Sequence, residues 1–232
     1  MVLDRQSAWE LLCEYTISES LRKHALGVEA AMRAMAGKYG GDPEVWGITG
    51  LLHDFDYEKY PTAEEHPFKG VEILKGLGYP QEILDAIMGH AEYTGVERKT
   101  LMAKSLFAVD ELVGFVFAVT YVRPSKAVRE VAPKSIRKKL KQKAFAASVN
   151  RDDIVQGMLE LELEENEHFQ FVIDALTGVA EAVGLAGVAP DSSDQLSYQG
   201  SKFAEYHSCG SPNFMTINFK EWNFPVSVFE MT

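Results

Sequence analysis

The chain has 232 residues, of which 46% are hydrophobic and 25% are charged, and its formal net charge is −11. This balance indicates a folded globular protein, and the excess of acid disfavours binding to a nucleic-acid polymer or to an anionic membrane surface. No apolar run is long enough to cross a bilayer, no signal peptide is evident, and Cys13 and Cys209 are far apart without metal-binding spacing. The sequence therefore predicts a cytoplasmic protein.

Helix signals dominate the chain as far as Gly187. Thr16 and Glu19 have the spacing of a capping box, which predicts that a helix opens there. Asp42 and Pro43 supply an N-cap and a first-turn proline for a second helix that runs to about residue 53. Further helices are predicted over about 65–77, from 80 to 90, over 100–122, after a cap at Asn150, and to about residue 183, with a polar loop over 55–64.

The fold class predicted is all-α, a helical bundle, because no segment before Gly187 alternates as a β-strand does. We assign residues 1–187 to a helical domain and residues 188–232 to a separate C-terminal tail. The tail is rich in serine, asparagine and aromatic residues, which suits a short β-hairpin or an irregular strap. A strap between subunits would be compatible with a homo-oligomer.

One dipeptide stands at the end of an apolar run. His53 and Asp54 close the phrase GITGLLHDFD, where an ionised carboxylate beside apolar residues needs a partner. Imidazole and carboxylate together suit zinc, manganese or iron. A lone His-Asp dipeptide occurs often by chance and is by default an ordinary capping feature, so the dipeptide alone does not indicate a metal site.

Two more residues strengthen the interpretation of a metal site. Asp110 lies inside SLFAVDELVGFVFAV, where a carboxylate is costly unless a cation or donors compensate it. His24 lies among apolar residues in the middle of another predicted helix. Each alone is an ordinary core residue, but a helical bundle can bring such residues to one interior point, as bundles do when they hold metals.

The order His24, then His53 and Asp54, then Asp110 resembles the H…HD…D signature of the HD superfamily of metal-dependent phosphohydrolases. The phrases GLLHDFDYEKYP, HPFKGVEILKGLGYP and FAVDELVGFVFAVTYVRPSK are similar to an uncharacterised bacterial branch of it, often labelled HDIG-type. The resemblance covers roughly residues 15–185. It implies an all-helical HD domain in which these four residues bind a divalent metal and His53 and Asp54 are catalytic.

Two further histidines, His66 and His90, bear on the number of metal ions. In binuclear HD proteins, such as HD-GYP phosphodiesterases and diiron oxygenases, two extra histidines fall between the HD pair and the last aspartate. The resemblance implies that Asp54 bridges to a second ion held by these histidines, and the alternative for His66 is an ordinary capping or surface residue. One or two ions of manganese, iron, nickel, zinc or magnesium are thus implied.

The HD-GYP branch itself does not fit the sequence. Tyr57 stands where that branch has a lysine, and Ala91 follows His90 where it has a second histidine. Hydrolysis of cyclic di-GMP is therefore disfavoured.

A basic segment interrupts the acidic chain over residues 123–143. It has nine basic residues and one acid, whereas the rest of the chain has 14 basic and 33 acidic residues. Such a segment can attract an anionic small-molecule substrate, and it can equally be a solvated helix face. The candidates for binding the anion are Arg123, Lys126, Lys59 and Lys69.

The activity expected from the resemblance is hydrolysis of a phosphomonoester or phosphodiester of a small molecule, with nucleotides among the candidates. Two alternatives remain open. One is a mixed-valence diiron oxygenase, since the same ligands accept iron, manganese and zinc. The other is an HD domain that senses a nucleotide without turnover. Analysis of the bound metal discriminates best between hydrolase and oxygenase.

Overall fold

The computed structural model describes residues 4–187. In this part of the chain the architecture is a bundle of nine α-helices, and the extended structure is a single antiparallel bridge between Ala127 and Ala186. The prediction of an all-α fold is confirmed. The helices are α1 (Arg5–Tyr15), α2 (Glu19–Tyr39), α3 (Pro43–Leu52), α4 (Phe68–Gly76), α5 (Gln81–Gly89), α6 (Leu101–Tyr121), α7 (Pro133–Leu140), α8 (Arg151–Glu160) and α9 (Glu165–Gly178).

Side-chain caps explain why several predicted boundaries are right to within a residue or two. Asp42 accepts hydrogen bonds from the first backbone amides of α3, and Pro43 occupies the first turn. Thr100 accepts from the amide of Ala103 at the start of α6. Asn150 caps α8 in the same way. Each cap satisfies a backbone N–H group that has no partner within its own helix.

The predicted capping box at Thr16 is wrong. The N-cap of α2 is Ser18, whose side chain accepts from the amide of Leu21. Thr16 instead follows the end of α1, and its hydroxyl donates to the carbonyl of Phe55 at 2.9 Å. The tertiary contact with the loop after α3 therefore uses the hydroxyl that the sequence pattern assigned to a local cap.

Other differences lie at helix ends and in weakly patterned helices. α4 begins at Phe68 rather than at residue 65, because the preceding residues form turns, and α9 ends at Gly178 rather than near residue 183. Helices α1 and α7 were not predicted. In α7 only Ile136 is buried, and the segment is mostly basic, so it offers few apolar residues from which a helix can be recognised.

The long helix α6 lies at the centre and packs against α2, α5, α8 and α9. Glycines allow two of the close crossings. A Cβ on Gly157 of α8 would lie 2.5 Å from the Cα of Ala108, and a Cβ on Gly50 of α3 would lie 2.9 Å from the carbonyl oxygen of Val28 in α2. These approaches bring the middle of α2, the end of α3 and the middle of α6 together in the interior.

Within residues 4–187, no helix combines the length and apolar character needed to span a bilayer. The predicted hairpin or strap at 188–232 lies outside the residues that the structure describes.

Candidate metal centre

The six histidines and aspartates proposed from the sequence lie in one cluster, although they come from five separate helices or helix ends. Donor atoms of five of them form two groups, each with all its atoms within 4.8 Å of one another, and Asp54 is a member of both. The sixth, Asp110, contacts His24 and His53 directly. The six residues are His24 in α2, His53 at the C-cap of α3, Asp54 in the turn that follows, His66 just before α4, His90 at the C-cap of α5, and Asp110 in α6.

The first half of the cluster is built around Asp110. Its Oδ1 lies 2.9 Å from Nε2 of His24 and 3.2 Å from Nε2 of His53. The same nitrogen of His53 lies 3.4 Å from Oδ2 of Asp54. We call His24, His53 and Asp110 the α6 half of the centre, because α6 supplies its carboxylate.

The second half is built around the other oxygen of Asp54. Its Oδ1 lies 3.2 Å from Nε2 of His66 and 3.1 Å from Nε2 of His90. These two nitrogens are 3.3 Å apart. We call His66 and His90 the loop half, because His66 is carried by the segment between α3 and α4. His66 is buried, with 5% of its surface exposed, so it is not a surface histidine.

Two of the imidazoles are anchored to backbone carbonyls through Nδ1, on the side of the ring that faces away from the cluster. Nδ1 of His53 lies 2.8 Å from the carbonyl oxygen of Gly50, and Nδ1 of His90 is bonded in the same way to the carbonyl of Ile87. A carbonyl oxygen only accepts, so each of these Nδ1 atoms carries hydrogen. In the neutral ring the lone pair is then on Nε2, which faces the cluster, as a metal ligand requires.

The charges in the cluster depend on one another. Burial alone would lower the pKa of His53, but Asp54 and Asp110 raise it well above its ordinary value. Burial also acts to lower the pKa of His66, and its hydrogen bonds to Asp54 and Asp56 raise it to about 9. The buried carboxylates therefore stay ionised because positive charge surrounds them. Divalent cations supply the same charge and displace the imidazole protons when they bind.

The geometry fits divalent metal ions. Nε2 of His53 and Nδ1 of His24 are buried without a hydrogen-bond partner, which is costly unless something else satisfies them. In the neutral rings, the inward lone pairs of His66 and His90 repel each other at 3.3 Å unless a cation lies between them. Imidazole nitrogens with carboxylate oxygens are ligands that zinc, iron, nickel and manganese accept.

Asp56 belongs to the site and was not among the candidates from the sequence. It is 1% exposed, its Oδ1 lies 2.9 Å from Nδ1 of His66, and its Oδ2 accepts from the amide of Gly70 at 2.8 Å. The available signal was a second aspartate two residues after Asp54. In a segment predicted only as a loop, that spacing did not show where the side chain would point.

Glu111 is a second residue that the sequence did not single out. It follows Asp110 in α6 and is half-buried. Burial, together with the charges of Asp110 and Asp153, raises its pKa to about 9.

Of the four cations proposed to bind substrate, Lys59, Lys69 and Lys126 are exposed and Arg123 is half-buried. The ammonium group of Lys59 lies over the ring of Tyr15 at 3.7 Å, and that of Lys69 pairs with Glu72 at 3.2 Å. Lys126 is exposed and has a backbone φ of 48°.

Arg123 follows the end of α6, thirteen residues after Asp110, which corresponds to roughly 20 Å along the helix axis. A guanidinium nitrogen of Arg123 lies 3.8 Å from the carboxylate of Glu130. Its Nε is buried without a hydrogen-bond partner. The structure therefore does not bring Arg123 to the cluster, and it leaves one of the arginine donors unsatisfied.

A helical bundle whose interior holds a mixed cluster of histidines and aspartates defines a candidate metalloprotein. Comparison with known families makes this more specific, since residues 21–114 match the family model of the HD domain. No curated protein and no solved structure matches the chain. The matched segment contains all six clustered residues, and members of this family bind divalent metals and are typically metal-dependent hydrolases.

Proposed function

We propose that this protein is a binuclear metal-dependent phosphohydrolase that acts on a small phosphorylated molecule. The observation that carries the proposal is the position of Asp54. Its two carboxylate oxygens face different halves of the cluster, with Oδ2 toward His53 and Oδ1 toward His66 and His90. A carboxylate placed in this way is suited to bridge two cations.

The residues have separate tasks in this proposal. The α6 half, His24, His53 and Asp110, holds one ion, and the loop half, His66 and His90, holds the other, with Asp54 shared. A pair of divalent ions lowers the pKa of bound water and neutralises the charge that develops on a phosphoryl group. The protein fixes the positions of the ligands, since the backs of His53 and His90 are anchored to backbone carbonyls.

Arg123 is proposed to bind a second anionic group of the substrate, remote from the bond that is cleaved. One observation supports this role, the buried Nε of Arg123 that has no hydrogen-bond partner. Because Arg123 lies roughly 20 Å along α6 from Asp110, the group that it binds is at the far end of the substrate. A guanidinium donor without a partner is suited to a phosphate or carboxylate oxygen. Lys126, Lys59 and Lys69 remain candidates for weaker contacts with the same substrate.

The test starts from protein purified without chelator and analysed for metal. Manganese is then added, and phosphate release is measured from an aryl phosphate monoester, an aryl phosphate diester and a panel of nucleotides. We expect turnover that depends on the metal and is lost in Asp54→Ala. The control variant is Asp85→Ala, because Asp85 is an exposed aspartate on α5.

The alternatives give different results in the same experiment. Two equivalents of iron, with dioxygen consumption and no phosphate release, would identify an oxygenase. Nucleotide binding without turnover of any substrate, with full metal content, would identify a sensing domain. Either result would contradict the proposed hydrolase.

A further inference from the structure

Nδ1 of His66 has a different hydrogen-bond partner from Nδ1 of the other two anchored imidazoles. Nδ1 of His53 and of His90 meets a backbone carbonyl, whereas Nδ1 of His66 meets the carboxylate of Asp56 at 2.9 Å. A carboxylate behind a ligating imidazole fixes its tautomer and increases its basicity. We propose that Asp56 is a positioning residue that holds His66 as a ligand of the second metal ion, an inference that rests on the proposed binuclear centre.

Both oxygens of Asp56 are committed, so its carboxylate cannot turn away from His66. Oδ1 faces Nδ1 of His66, and Oδ2 accepts from the backbone amide of Gly70 in the first turn of α4 at 2.8 Å. This approach needs glycine, because a Cβ on Gly70 would lie only 2.6 Å from Cγ of Asp56. Asp56 and Gly70 thus act together to support His66 in the loop half of the centre.

Two tyrosines confine His66 further. The hydroxyl of Tyr93 donates to the carbonyl oxygen of His66 at 2.9 Å and fixes its backbone. The ring of Tyr57 packs against the imidazole edge to face, with 5.2 Å between ring centroids. With its back bonded to Asp56 and one side covered, the imidazole presents Nε2 to Asp54, 3.2 Å away.

The substitution Asp56→Asn tests the hydrogen bond to His66 without changing the side-chain volume, because the amide has nearly the same shape as the carboxylate. The amide of Gly70 requires an acceptor, so the asparagine oxygen takes that position and the NH₂ group faces Nδ1 of His66. Nδ1 must then act as the acceptor, which puts the ring hydrogen of the neutral imidazole on Nε2. A protonated Nε2 cannot bind a metal, so the second site is expected to weaken.

The experiment is a titration of the full-length metal-free protein with Mn²⁺, followed by calorimetry and by electron paramagnetic resonance. We expect the wild type to bind two ions and to show the spectrum of a coupled manganese pair at full loading. In Asp56→Asn the first ion should bind with unchanged Kd, and the second roughly 10–100-fold more weakly. At equal loading the variant should show isolated manganese. A merely structural defect would instead weaken both ions.

A matched pair of glycine variants tests the same support independently, and it carries the test if Asp56→Asn fails to fold. Gly70→Ala forces the new methyl group against Asp56 and should weaken the second ion selectively. Gly76→Ala, in the same helix, adds a methyl group with nothing within 4 Å and should leave both ions at wild-type affinity. Circular dichroism of the metal-free variants verifies that the helices are retained.

The outcomes separate this inference from the proposed function. If the wild type binds two ions and both Asp56→Asn and Gly70→Ala keep wild-type affinity for the second, the positioning role is wrong while the binuclear centre stands. If the wild type binds one ion or none, the binuclear centre and the positioning role are both wrong. Selective weakening of the second ion in either variant, with Gly76→Ala unchanged, supports the role.

Discussion

The two halves of the candidate centre are built in different ways. The α6 half takes His24 and Asp110 from the middle of long helices and His53 from the end of a helix that crosses α2 closely. The loop half takes His66 from a segment of turns and His90 from the end of a nine-residue helix. Helix packing therefore positions most of the α6 half, where only His53 is also bonded to a backbone carbonyl. The loop half depends instead on hydrogen bonds of its histidines with Asp56, Tyr93 and the carbonyl of Ile87.

Because the two halves are built differently, we expect the two ions to respond to different mutations. Packed helices resist local change, so the α6 half should fail only when a ligand or the fold is damaged. A site held by a few hydrogen bonds should weaken when one bond is lost, while the fold survives. Asp54 is the exception, since it serves both halves.

The largest effect is expected from Asp54→Ala. Because Asp54 faces both halves, its loss should remove both metal equivalents and all turnover while the helix content remains. Metal analysis and circular dichroism measure the two quantities, with Asp85→Ala as the matched control. His53→Ala is expected to behave like Asp54→Ala. An Asp54→Ala protein with full metal content and full turnover would refute the site.

The double variant His66→Ala with His90→Ala removes both histidines of the loop half and leaves the α6 half unchanged. It should remove one metal equivalent and leave the other, because His24, His53, Asp54 and Asp110 still surround the first ion. Metal analysis after dialysis gives the stoichiometry. Two equivalents in the double variant would show that these histidines serve structure rather than metal binding.

Gly50→Ala tests whether packing controls the α6 half. Its Cβ would lie 2.9 Å from both Cγ of Met32 and the carbonyl oxygen of Val28, so α2 and α3 would have to separate. Overpacking of this kind costs about 1–3 kcal/mol of the free energy of unfolding, which urea denaturation measures. Because α2 carries His24, the first ion should also bind more weakly. In Gly76→Ala, by contrast, stability should be unchanged or slightly raised.

The smallest effect on the metal centre is expected from Arg123→Ala, which touches neither half. Loss of a charge-assisted contact should cost about 1.5–3 kcal/mol of transition-state stabilisation, measured as a lower kcat/KM on a substrate that reaches Arg123. The metal content should be unchanged. Lys138→Ala is the control, because Lys138 is an exposed cation of the same basic segment. If the two variants have equal kinetics on every substrate that is turned over, Arg123 does not bind the substrate and only follows the end of α6.

The sequence by itself determined the helical class and most helix starts, because caps such as Asp42 and Thr100 and the apolar periodicity act within a few residues. It also determined which residue types suit a metal, since imidazole and carboxylate in apolar surroundings need a cation or donors. It failed where a tertiary contact competes with a local one. Thr16, for example, donates to Phe55 instead of capping α2.

Only the tertiary structure decided that the six residues meet. His24 and Asp110 are 86 positions apart in the chain and yet lie 2.9 Å from each other, because α2 and α6 pack directly together. The support of His66 by Asp56 was likewise invisible in the sequence, since the direction of a side chain in a turn depends on what packs around it. Here the deciding neighbour is Gly70, whose missing side chain leaves room for the carboxylate.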